Sequence, residues 1–166
     1  MTSGRLDPTT GSRAVDLGCG SGANAIFLAE HGFDVTGVDF SGVALAKAAA
    51  KSAAPRWVQA DLTGPGIPGA PGPYDLLVDY GTLDDLKGKR RIAMADNIIG
   101  LARPGASFLL WCFYDEIRWW RRREAPFPGL KPGEETALFG HAFDIERLPT
   151  PATGTGFACF LLTKAV

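Results

Sequence analysis

An apolar strand that runs straight into a glycine-rich turn constrains this chain more than any other feature. Residues 15–22 read Val-Asp-Leu-Gly-Cys-Gly-Ser-Gly. Ala14 to Leu17 supply the strand, and the glycines let the backbone come close to a ligand. A helix opening at about Gly22 then points its first N–H groups at that ligand. A second apolar run, Val35 to Asp39, ends in an acid about 20 residues on, where a carboxylate can accept both hydroxyls of a ribose. The pairing predicts a β-α-β unit that binds a nucleoside-bearing molecule.

The glycines alone leave two ligands open. Gly18-Cys19-Gly20-Ser21-Gly22 is a GxGxG turn, while Gly18, Gly20 and Ala23 also satisfy the looser dinucleotide pattern. Asp16 discriminates between them. An acid two residues before the first glycine repels a diphosphate but suits an ammonium or a sulfonium. The charge logic favours S-adenosylmethionine over NAD.

The 166 residues fit one domain, 1–166, and the net charge of −1 gives no global attraction toward nucleic acid or anionic lipid. No apolar run nears the roughly 18 residues of a membrane span, and the N-terminus lacks the basic-then-apolar order of a signal peptide. A cytoplasmic protein is expected. Cys19, Cys112 and Cys159 are widely spaced and read as reduced thiols, the latter two in strand cores. Two histidines and no ligand-spaced cluster give no reason to expect a metal.

Strand, helix, strand, helix, strand order implies right-handed crossovers and a parallel sheet. Helices are predicted over 23–30, from Ser41 as N-cap to about Ala53, over 89–102, and from Glu134 to about Phe139. Strands are predicted over 14–17, 34–39, 56–59, 74–79 and 106–113, followed by an antiparallel pair over 143–148 and 156–164. Ile92, Ala95, Ile98, Ile99 and Ala102 form the apolar stripe of the third helix, and Lys87, Lys89, Arg90 and Arg91 its solvated start. Residues 62–73 hold four glycines and four prolines, which excludes a helix there.

Five motifs in order make the chain resemble the class I S-adenosylmethionine-dependent methyltransferases. They are Asp16 to Gly22, Gly37-Val38-Asp39-Phe40-Ser41, Gln59-Ala60-Asp61-Leu62, Asp75-Leu76-Leu77-Val78-Asp79 and Leu101-Ala102-Arg103-Pro104-Gly105-Ala106. The tail, from Pro132 to Ile145, resembles the thiopurine- and tellurite-resistance-like branch, which acts on small molecules. The resemblance implies a Rossmann-like doubly wound α/β sheet of seven strands ordered 3-2-1-4-5-7-6, with strand 7 antiparallel. It implies a crevice for S-adenosylmethionine across the carboxyl ends of strands 1, 2 and 4. By position, Gly18 and Gly20 lie against the methionine and ribose, with Asp16, Cys19, Ser21 and Gly22 completing the turn. Asp39 takes the ribose hydroxyls, Phe40 faces adenine, and Asp61 accepts from the adenine amino group beside the Leu62 backbone. Asp79 and Tyr80 sit under the methionine amino group and the sulfonium.

Methyl transfer to a thiol, halide or similar soft nucleophile needs little or no general base, whereas oxygen or nitrogen usually does. Tyr80, Asp84, Asp85, Glu134 and His141 are the candidates near the mouth, and none has a partner legible in the sequence. Two features depart from the resemblance. Only about a dozen residues precede the first strand, so the cap helices of such enzymes are expected to be absent. That leaves an open substrate side, a cap from a partner chain such as a second copy, or a longer parent protein. Arg118-Trp119-Trp120-Arg121-Arg122-Arg123 interleaves bases with aromatics; it reads first as a short helix over apolar surface, next as a substrate lid, and only after these as a nucleic-acid or membrane contact. The rival readings are a non-catalytic cofactor-binding domain and an NAD(P)-dependent oxidoreductase.

Overall fold

Alternation of apolar runs with turn residues is carried directly into the order of elements in the computed structural model, which describes residues 8–114, 128–150 and 156–166. The run 118–123 lies outside the described residues. The elements are β1 (Arg13–Leu17), α1 (Ala23–Glu30), β2 (Asp34–Asp39), α2 (Gly42–Lys51), β3 (Arg56–Gln59), β4 (Tyr74–Tyr80) and α3 (Gly88–Leu101). They continue as β5 (Ala102–Phe113), α4 (Glu134–Phe139), β6 (Phe143–Leu148) and β7 (Phe157–Lys164). One seven-stranded sheet results, ordered β3-β2-β1-β4-β5-β7-β6, and β7 runs antiparallel to both neighbours. The fold is the Rossmann-like one that the motifs imply.

Ala14, Val15, Leu17, Leu76, Leu77 and Val78 are all buried, as a strand covered on both faces requires. Ala25 of α1 packs with Ala14, Val35, Leu76 and Val78 on one face. Met94, Ala95, Ile98 and Leu101 of α3 join Val15, Leu77, Phe108 and Leu110 on the other. This face of α3 differs from the expected stripe: Ile92 is exposed and Arg91 is buried. The reason is the guanidinium's partners, for Arg91 pairs with Glu134 at 2.6 Å and donates to the carbonyls of Asp84 and Gly129. Arg91 therefore belongs to the interior rather than to a solvated helix start.

Several boundaries also shift, those of β1, α3 and β7 by a single residue. Ser41 caps α2, its Oγ accepting from Ala44 N at 3.2 Å, but the helix stops at Lys51 because Ser52 turns extended. β4 runs one residue further, to Tyr80. β5 begins at Ala102, not Ala106. Its pairing with β4 skips from Tyr74↔Ala102 to Leu76↔Ser107, and Gly105 takes a φ of 76° in the irregular stretch. The Pro/Gly loop forms no helix or strand; Asn97 Nδ2 fixes it by donating to the carbonyls of Leu62 and Gly64.

Candidate functional site

At the carboxyl ends of β1, β2 and β4 the glycine turn is bonded on every side. Gly18 N and Cys19 N both donate to the Val38 carbonyl, at 2.8 and 3.0 Å. Asp39 then bridges the turn to the start of α2: Oδ2 accepts from Gly20 N and Oδ1 from Ser41 N, each at 2.8 Å. Thr82, in the turn after β4, closes from above, its hydroxyl donating to the Leu17 carbonyl at 3.2 Å. A Cβ on Gly18 would stand 1.9 Å from that hydroxyl, and the φ of 74° already favours glycine. Trp57 of β3 buttresses the turn from behind, where a Cβ on Gly22 or Gly37 would meet its ring at 2.6 Å.

In front of the turn lies a cavity of about 440 Å³, bordered by Gly18, Asp39, Phe40, Asp61, Leu62 and Thr82. Phe40 is 78% exposed and presents a bare ring face. Asp61 is held by Thr63, whose N–H and hydroxyl both donate to Oδ1 at 2.8 Å, and these bonds lower its carboxyl below the usual range. Asp85 and Arg90 complete the rim, with Arg90 4.0 Å from Asp61. Three carboxylates against one guanidinium make this a place for a neutral or cationic ligand, and an unfavourable one for a diphosphate.

Two more carboxyl groups lie beneath this surface. Asp16 is buried, and its Oδ2 accepts from Ala25 N at 3.0 Å. One N–H at the start of α1 is thus taken by the chain's own side chain instead of facing a ligand. Burial pushes Asp16 up to about 7, with Asp39 adding to the rise against the Ala25 hydrogen bond. Asp79 is wholly buried and shapes the turn after β4, accepting from Thr82 N at 2.9 Å and Leu83 N at 3.1 Å. Burial raises it to about 8, despite those bonds. Either carboxyl ionises more readily once a cation stands above it.

The expected site residues therefore divide by position. Gly18, Asp39, Phe40, Asp61 and Leu62 border the cavity. Cys19, Gly20, Ser21 and Gly22 build the turn. Burial drives the Cys19 thiol up to about 12, and Lys51 Nζ donates to the Ser21 hydroxyl and carbonyl from the exposed side. Tyr80 faces elsewhere, stacked on Trp111 with ring centroids 5.6 Å apart. Thr82 and Trp57 carry no site motif in the sequence, and Arg90, expected only as part of a solvated helix start, stands on the cavity rim. Trp57 alone left a signal, as a large aromatic on the strand facing two glycines.

The candidate bases separate as well. Glu134 is held by Arg91 and by Lys131 N, His141 is exposed, and Asp85 stands on the exposed rim. Asp84 is buried, with Oδ2 accepting from Phe113 N at 2.6 Å. Burial raises its carboxyl, chiefly against that hydrogen bond. No helix among the described residues is long and apolar enough to cross a membrane.

Comparison with known proteins bears on the same elements. The family model of a methyltransferase domain matches residues 14–105, from β1 into the start of β5. Malonyl-[acyl-carrier protein] O-methyltransferase of Enterobacter lignolyticus is 37% identical over 73 residues, which is 44% of this chain and 28% of that relative's length. Among solved structures, a TehB-like SAM-dependent methyltransferase from Corynebacterium glutamicum superposes with a TM-score of 0.76 at 22% identity, over 95% of this chain and 82% of its own. Magnesium protoporphyrin IX methyltransferase from Synechocystis, solved with bound SAH, gives 0.76 at 20% identity, over 94% and 75%.

Proposed function

Because the chain belongs to the methyltransferase-domain family and is an S-adenosylmethionine-dependent enzyme of the class I fold, we propose that it methylates a small-molecule nucleophile from the cavity in front of Gly18. The observation that carries this reading is Asp39. Its two oxygens tie the glycine turn to α2 and each keeps a lone pair for a ribose hydroxyl. When bound, the cofactor supplies an electrophilic methyl group on a sulfonium. Asp61 accepts from the adenine amino group, the Leu62 backbone lies beside it, and the open face of Phe40 covers the ring. Gly18 and Gly20 give the methionine and ribose room to lie against backbone. Asp16 and Asp79 provide negative charge from below, while the turn between Tyr80 and Leu83 walls the acceptor side. The protein's contribution is alignment and exclusion of water rather than covalent chemistry.

Titration with S-adenosylhomocysteine and with NADH tests this. Tight binding of the first with weak binding of the second supports the reading, and the reverse order overturns it. Methyl release against a panel of small acceptors then separates an enzyme from a domain that only binds the cofactor. The carboxylate on Ala25 N, at the helix terminus where a diphosphate would sit, is what favours this reading over the oxidoreductase.

A further inference from the structure

Next to the cofactor cavity, and sharing Gly81 with it, is a smaller cavity of about 290 Å³ lined by Tyr80, Gly81, Asp84, Trp111, Phe113 and Phe157. Resting on the cofactor assignment above, we propose that this cavity binds the methyl acceptor and that the acceptor is a small amine, held as its ammonium against the aromatic rings and the carboxylate of Asp84.

Four of the six lining residues are aromatic. Tyr80 and Trp111 stack with 9° between their planes, Trp111 and Phe157 stack at 6.3 Å, and Phe113 meets Phe157 edge-on at 5.5 Å. The single carboxylate among them is 4% exposed, and only its Oδ2 is bonded, to Phe113 N. Among the described residues Oδ1 has no hydrogen-bond partner. A buried carboxylate oxygen left unpaired is costly, so its retention at the wall of a cavity points to a donor that arrives with the ligand. A Cβ built on Gly81 would stand 4.0 Å from that oxygen, so Oδ1 lies beside the junction of the two cavities, which Gly81 leaves without a side chain. Oδ1 is closed to bulk water, so a donor at that junction reaches it only when the carboxyl turns toward the ligand.

Ring faces and an anion select the same charge. An ammonium gains strongly from both, whereas a thiol gains only weakly and a halide anion is repelled by both. The volume falls just below the range for ligand pockets, which suits an acceptor smaller than a typical drug. In the reaction, Asp84 takes one proton from the bound ammonium and becomes neutral. The freed nitrogen lone pair forms the N–C bond as the methyl carbon's bond to sulfur breaks, that electron pair staying on sulfur. The product leaves as a methylated ammonium beside neutral S-adenosylhomocysteine.

The test begins with binding, in the presence of S-adenosylhomocysteine, of ethanolamine as its ammonium and of its neutral isostere 1-propanol. Ethanolamine is expected to bind about tenfold tighter. Asp84→Asn, which keeps an acceptor for Phe113 N, and Tyr80→Leu, at a 60% exposed ring, are each expected to remove most of that preference. Binding of S-adenosylhomocysteine to both variants should be unchanged. With small primary amines as acceptors, Asp84→Asn should lower kcat/KM about a hundredfold. Equal affinity for the two isosteres overturns the proposal, as does turnover confined to thiols or phenols, or amine turnover untouched by either variant. All three leave the cofactor assignment standing; failure of the wild-type protein to bind S-adenosylhomocysteine removes that assignment instead.

Discussion

Replacing Asp39 by alanine mixes two effects, because the carboxylate both organises the glycine turn and is offered to the ribose. It accepts from Gly20 N and Ser41 N at 2.8 Å. Losing either bond loosens the turn, and a plain loss of affinity would follow even if no ribose were touched. A cycle that varies the ligand separates the two. Wild-type protein and Asp39→Ala are each titrated calorimetrically with S-adenosylhomocysteine and with its 2′,3′-dideoxy analogue. A hydrogen bond to an ionised acceptor contributes about 1.5–3 kcal/mol. The wild type should therefore lose roughly 10- to 150-fold in affinity when the hydroxyls go. The variant, with no acceptor to lose, should bind both ligands within about twofold, giving a coupling energy of about 1.5–3 kcal/mol. Equal losses in both proteins would refute the ribose contact and leave Asp39 as a strut for the turn.

Gly18→Ala should destabilise the chain by at least about 3 kcal/mol in urea unfolding, since it combines a left-handed φ with a Cβ pressed on Thr82. Adding Thr82→Gly should recover the steric part but not the roughly 1–2 kcal/mol of backbone strain; a single variant as stable as wild type removes the close approach from the account. Asp16, raised to about 7 from its ordinary 3.8, holds in the folded state a proton that the unfolded chain has released. Its contribution to stability therefore falls as pH rises from about 4 to 7 and stays low above that. Asp16→Asn, which can still accept from Ala25 N, should flatten this slope in the ligand-free protein and gain on the order of 2–4 kcal/mol at pH 8; parallel pH curves for the two proteins would contradict the burial effect. Cys19, Cys112 and Cys159 are all buried with thiols pushed upward. Iodoacetamide at pH 8 should label them at least about a hundredfold more slowly than in urea, and rapid labelling of Cys19 would show the turn to be open.

Strands that end in acids carried most of the legible information. β2 and β3 and helix α1 lie where the sequence places them, because each is bounded by a strong local signal, such as Asp39 before Ser41 or Gly32 after α1. Long-range effects account for the rest. Nothing local marks Arg91 as interior; its burial depends on carbonyls of Asp84 and Gly129 and on Glu134, far along the chain. Thr82 carries no motif, yet the parallel pairing of β1 and β4 lays it over Gly18. The acids Asp16 and Asp79 read as ligand contacts, but the structure shows them first as acceptors for their own backbone. A carboxylate's type and spacing are local facts, and the direction in which it hydrogen-bonds is not.

The place of β7 between β5 and β6 bears on how such a chain can be made. During synthesis β5 emerges some fifty residues ahead of the strand that must cover its edge. Until Lys164 leaves the ribosome, that edge presents unpaired peptide groups in a run of aromatic and aliphatic residues, the kind that recruits other chains. β6 meanwhile has no strand to hold it. A nonsense codon only a dozen residues upstream of the last strand's end would therefore delete an inner stave of the sheet rather than trim its rim.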